Sequence, residues 1–154
     1  MLNVLLNILT GPSSAFYEEM NRKGLLNASF GGEVFGGRGY LAALFGGESK
    51  DPRAVYSAFC RMVEEKQETG LSEEDFLSCK NALYGRTFRE MNDVETMANA
   101  LFAYEMMGVA LFDMPEMIAS VTLADVEQAL REEFSPEKRA ISIILPFESA
   151  PEQP

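Results

Sequence analysis

Residues Ser29 to Ser49 read SFGGEVFGGRGYLAALFGGES and hold seven glycines in twenty-one positions. Leading into this run, Ala28, Phe30, Gly32 and Val34 fall on one face, and Asn27, Ser29, Gly31 and Glu33 on the other. That is the period-two pattern of a half-buried strand. The segment GGRG, Gly36 to Gly39, is turn chemistry, because glycine reaches positive φ without a Cβ penalty. YLAALFGG then reads as a second strand, apolar on both faces and so expected near the middle of a sheet. An antiparallel hairpin over about residues 26–48 follows. The same glycines fail as a phosphate cradle. A Walker loop needs Gly-Lys followed by a hydroxyl residue, which occurs nowhere in the chain. Gly37-Arg38-Gly39 runs straight into a strand, whereas a dinucleotide fingerprint must open a helix.

Around the hairpin the chain is punctuated as helices. Leu2, Leu5, Leu6 and Leu9 share a helical face, and Gly11-Pro12 ends that helix. Ser13 or Ser14 can cap a short second helix that Gly24 stops. Asp51-Pro52 supplies a capping carboxylate and an N1 proline to a long helix with a Val55, Phe59, Met62, Val63 stripe, ended by Gly70. Ser72 caps the next helix, with Asp75 placed for an approximate capping box and an apolar stripe of Phe76, Leu77, Leu83, Tyr84, Phe88 and Met91. Asp93 starts another helix through Met107. VALFDMPEMIASV holds one short helix, and Thr122 caps a last one that Ser135-Pro136 stops. RAISIILP is expected as a final strand, about residues 139–145, buried on both faces. FESAPEQP reads as a loose tail. The fold class is α+β: a mostly antiparallel sheet, the hairpin plus the strand at 139–145, covered by helices.

The 154 residues carry 24 acidic and 13 basic side chains, a net charge of −11. A surface that acidic repels phosphate backbones and anionic lipid, so neither nucleic acid nor a membrane surface is an expected partner. No apolar run approaches the roughly 18 residues of a membrane helix. The chain has no histidine, which removes Ser–His–Asp and Cys–His nucleophile pairs and every zinc site built on imidazole. Cys60 and Cys79 fall among apolar neighbours on helices and read as reduced core thiols, which fits a cytoplasmic location. The carboxylate pairs Glu18/Glu19, Glu64/Glu65, Glu73/Glu74 and Glu132/Glu133 read as solvated helix faces, and the nine methionines as core filling.

Taken in order, several segments resemble the insulinase/pitrilysin-type zinc metallopeptidases, the group that includes the mitochondrial processing peptidase. They are ILTGPSSAFYEEMNRKGLL, the two strands, the helix opening at Asp51-Pro52, and the helix opening LSEEDFLSCKNALYG. The later stretch, REMNDVETMANALF with SVTLADVEQAL beyond it, looks closest to a bacterial branch of cytoplasmic proteins. Those proteins occur as sister pairs and are associated with modification of an elongation factor. The likeness covers about residues 2–146.

The resemblance implies two homologous halves that close like a clamshell around a peptide. One half carries His-x-x-Glu-His and a downstream glutamate, where zinc and the motif glutamate activate water. With no histidine, none of that motif carries over, so the chain resembles the non-catalytic C-terminal half. Zinc is expected only in a partner lobe, with no cofactor in this chain. In several relatives the second half offers the substrate an arginine and, seven residues on, a tyrosine. The matching positions are Asn21 and Ala28, neither of which can do that job. Arg38 and Tyr40, at the hairpin turn, are the candidate replacements as chamber or partner contacts.

The expected function is a non-catalytic, chamber-forming lobe, residues 1–147 of a longer protein with 148–154 as its tail. It would not be an enzyme by itself. It would dock on a zinc-bearing sister half and help enclose a peptide or protein substrate, and a homodimer is compatible with this. The alternative is a non-enzymatic interaction or scaffold protein of the same fold, binding a sister subunit or client protein.

Overall fold

The computed structural model describes residues 1–37 and 39–146, and of Glu90 and Met107 only the backbone. Seven helices and one hairpin alternate along this stretch: α1 (Leu2–Thr10), α2 (Ala15–Arg22), β1 (Gly31–Gly37), β2 (Tyr40–Gly46), α3 (Pro52–Thr69), α4 (Glu73–Glu90), α5 (Val94–Met107), α6 (Met114–Ser120) and α7 (Leu123–Glu133). Single 3-10 turns at Leu111–Asp113 and Pro136–Lys138 precede α6 and follow α7. The α+β class stands, with helices packed about a two-stranded antiparallel sheet.

The helices start where their capping residues are. The Ser14 hydroxyl accepts the Tyr17 N–H, Asp51 that of Ala54, Ser72 that of Asp75 and Asp93 that of Thr96. Thr122 and Asp125 complete a reciprocal capping box on α7. Gly70 ends α3 at φ +83°, where its missing Cβ leaves room for the Glu127 carboxylate. That carboxylate accepts the Leu71 N–H at 3.1 Å and so ties the α3–α4 turn to α7.

The expected leucine stripe of α1 is buried, and Val4 is buried as well. The helix is enclosed rather than half-exposed, because β1, α2, α4 and α7 all pack around it. Its core continues through Val63, Phe76, Val126, Leu130 and Phe134. A second cluster of Phe16, Met20, Leu26 and Val55 lies beneath α2. Phe59 and Met62 pack against both clusters and join them. The α4 stripe divides. Phe76 is buried and Leu83 packs on the core, while Leu77, Tyr84 and Phe88 are each about half exposed.

Two expectations about the sheet are corrected. Residues 139–145 form no strand: they run on from the Pro136–Lys138 turn without a ladder partner among the described residues, and Ile144 and Leu145 lie open to solvent. β2 is not central either. Among the described residues it pairs with β1 alone, from Gly31↔Gly46 to Gly37↔Tyr40, and Leu41 and Leu44 are exposed. The apolar pattern of each segment is real, but no neighbouring strand is present among the described residues to use it. The tail expected at 148–154 lies outside the described residues.

Candidate functional site

A groove of about 830 Å³ lies between β2 and residues 138–142. Its floor is apolar, made of Phe16, Leu26, Val55, Tyr56, Phe59 and Phe134. Aromatic contacts set its shape. The Phe59 ring lies 4.7 Å from that of Phe45, meets Phe16 edge-on at 5.9 Å and stands 6.4 Å from Phe134. One wall is the outer edge of β2. Gly47 turns the chain off that wall at close quarters, since a Cβ there would sit 2.6 Å from the Phe30 Cα.

The opposite wall is fixed by Arg139. Its guanidinium is almost wholly buried and donates to the Phe134 carbonyl from Nε at 2.9 Å and Nη2 at 2.6 Å, and to Glu64 from Nη1 at 3.1 Å. Gln67 on α3 donates to the Leu130 and Phe134 carbonyls as well. The unpaired carbonyls at the end of α7 are thereby satisfied by two side chains, and residues 138–142 are held over the aromatic floor. At the rim, Lys138 pairs with Glu133 at 3.1 Å.

This lining has no nucleophile set against a base. Tyr56 on the floor is pushed above the ordinary phenol range, chiefly by its hydrogen bond with the Cys60 side chain and then by burial. Cys79, on α4, is also raised, by burial first and Asp75 second, the behaviour of a core thiol and not of a nucleophile. The implied zinc does not fit here. The chain has no imidazole to offer, and among the described residues no three His, Cys, Asp or Glu side chains converge to hold a metal ion. What the groove can do is cover an extended, apolar stretch of polypeptide.

The residues singled out in the sequence lie elsewhere. Asn21 sits exposed in the last turn of α2 and Ala28 exposed in the turn before β1. Tyr40 opens β2 on the sheet face away from the core, 5.8 Å from the Phe35 ring and about half exposed. Arg38 lies outside the described residues. None of Asn21, Ala28 and Tyr40 lines the groove. Sequence reasoning placed Phe59 in a buried stripe but missed Arg139. Its only local signal is a basic residue just past the end of α7.

Residues 1–83 match the family described as "Peptidase M16 inactive domain". Over 145 residues the chain is 27% identical to an uncharacterized zinc protease, YmfH, of Bacillus subtilis (strain 168). The match takes in 94% of this chain and 34% of the relative, so the chain spans about a third of that relative's length. Among solved structures, a candidate M16-like peptidase from Alicyclobacillus acidocaldarius superposes with a TM-score of 0.81 at 22% identity, over 85% of this chain and 32% of that one. A candidate zinc protease from Bordetella pertussis Tohama I gives a TM-score of 0.72 at 20% identity, over 90% of this chain and 79% of that one. At these identities the structures show a shared fold. Fold, segment order and the profile match over more than half of the chain agree: it belongs to the peptidase M16 inactive-domain family.

Proposed function

We propose that residues 1–147 act as one non-catalytic lobe of an M16-type zinc peptidase. The lobe docks against a zinc-bearing half, walls the chamber and helps to enclose a peptide or protein substrate, in the cytoplasm. The observation that carries this is the match to an inactive M16 domain in a chain with no histidine at all. A domain of this family without imidazole can hold a substrate but cannot build the metal site. Arg38 and Tyr40 are the chamber or partner contacts in this proposal. The elongation-factor-associated bacterial branch is its finer placement.

A scaffold role, binding a sister subunit or client with no peptidase chemistry, is the second reading. It draws on the resemblance, under which Asn21 and Ala28 fall at the positions where an arginine and a tyrosine are expected. Isolation of the polypeptide and its tightly bound partners from source cells, followed by sequencing, separates the two. A His-x-x-Glu-His segment in the same polypeptide or in a stoichiometric partner is the expected result. Its absence from both overturns the peptidase reading in favour of the scaffold. Chelator-sensitive peptide cleavage by the 154-residue chain alone would overturn both.

A further inference from the structure

β2, whose outer edge has no neighbouring strand among the described residues, and residues 139–145, which the sequence marks as a strand, line the same groove. On one bank stands β2. Gly37↔Tyr40 closes a two-residue turn, so the pairs 37↔40, 35↔42, 33↔44 and 31↔46 exchange hydrogen bonds within the hairpin. The N–H and C=O groups of Leu41, Ala43 and Phe45 therefore point away from β1, and all three residues line the groove. On the other bank run residues 140–146. Among the described residues their backbone makes no hydrogen bond to another backbone group. Ala140, Ile141 and Ser142 line the groove, and Ile141, Ile144 and Leu145 are exposed beyond it.

Unpaired edges carrying apolar side chains are a template for strand addition. We propose that the groove is a gap in one sheet, filled by extended β-structure from M16 polypeptide lying outside residues 1–154. One added strand between the banks sets them about 9–10 Å apart, twice the strand spacing. The length needed is at hand in the family, since about two thirds of the Bacillus subtilis relative lies outside its match to this chain. A second copy of this chain is the weaker occupant, because a net charge of −11 on each copy opposes self-association. Strand addition also accounts for both corrected expectations at once: β2 becomes central and residues 139–145 gain a ladder. The proposal rests on family membership and not on peptidase activity, so it stands if no zinc motif is found in the native assembly.

The test uses overlapping synthetic peptides that cover the part of the Bacillus subtilis relative outside the match, each added to the 154-residue chain. The readout is amide hydrogen exchange by NMR. In the chain alone, the amides of Leu41, Ala43 and Phe45 should exchange quickly while those of Ala42 and Leu44 are protected. At least one peptide with alternating apolar residues should slow the first set tenfold or more and shift the signals of Ile141 and Ile143. Ala43→Pro removes one outward N–H without touching a β1–β2 bond, and should abolish that protection. Leu41→Lys, which keeps every backbone bond, should weaken it. Three results overturn the proposal: no peptide protects these amides, they are already protected in the monomeric chain, or their protection tracks self-association measured by sedimentation.

Discussion

Arg139→Ala should destabilise the chain far more than loss of its charged partner Glu64. The guanidinium is 8% exposed, and its two short bonds both end on the Phe134 carbonyl. A hydrogen bond from a charged donor to a buried acceptor contributes roughly 1.5–3 kcal/mol. Truncation leaves that carbonyl with Gln67 alone, at 3.3 Å, and uncovers the apolar surface that the arginine stem shields. The ion pair with Glu64 counts for less, because Glu64 is 55% exposed, and such pairs contribute about 0–1 kcal/mol. The expected cost of Arg139→Ala is thus about 2–3 kcal/mol, against at most about 0.5 kcal/mol for Glu64→Ala. In a chain of this size the first corresponds to a fall in Tm of roughly 5–10 °C. Arg139→Lys should recover only part of the loss, since an ammonium cannot place two donors in a fixed fork. Urea unfolding of the three variants, with the Arg139/Glu64 double mutant closing a cycle, measures each quantity. Equal costs for Arg139→Ala and Glu64→Ala, or a coupling energy close to the whole Arg139 effect, would show that the salt bridge holds the wall and not the helix-end carbonyl. That result would refute the reasoning.

Neighbouring glycines should respond with opposite signs: Gly47→Ala drives a Cβ to within 2.6 Å of the Phe30 backbone and should cost about 1–3 kcal/mol, whereas Gly46→Ala enters open space and should be neutral or mildly stabilising in the same urea assay. Two caps give the chain an acid sensitivity. The Thr122 hydroxyl and then its N–H hold the Asp125 carboxyl below the usual range, and the Thr96 hydroxyl and then its N–H do the same for Asp93. A depressed folded-state value means that the unfolded chain binds protons more readily, so this contribution is present above the ordinary carboxylate range and fades as pH falls through it. The drop in Tm on acidification should be shallower in Asp125→Asn and Asp93→Asn than in the parent. Chelation should leave Tm unchanged in scanning calorimetry, because the chain has no imidazole and no metal-binding group among its described residues. A fall of several degrees on adding chelator would mean that a structural ion had been overlooked.

Most helix boundaries could be read from the sequence because they are set by short-range chemistry. Asp51, Ser72, Asp93 and Thr122 each sit three residues before the N–H that their side chains accept, so residue type and spacing are enough to find them. What covers an apolar face is a long-range matter. The α4 stripe was correct as a face, yet Tyr84 and Phe88 pack mainly on each other, ring centroids 4.8 Å apart, with their outer sides open. The groove was harder still. The acceptor that holds Arg139 is five residues away in sequence and the carboxylate 75; a basic residue just past the end of α7 is the local signal, and it does not say that the guanidinium turns back to cap that helix.

The sheet shows the difference between what a pattern states and what it leaves open. Apolar residues on both faces of YLAALFGG and RAISIILP say that each segment is suited to burial between layers and between strands. They do not say which polypeptide supplies the neighbours. A strand inside a complete sheet and an edge awaiting one carry the same sequence, and only the tertiary structure separates them. Here the outer edge of β2 and residues 139–145 stand on two banks of one groove, with no strand between them among the described residues, and are placed by Gly47 and Arg139. A chain stable on its own would be expected to blunt such edges with lysine, proline or a bulge. β2 has none of these between Tyr40 and Gly46. An unguarded edge beside an apolar floor is what selection would leave where another strand normally lies.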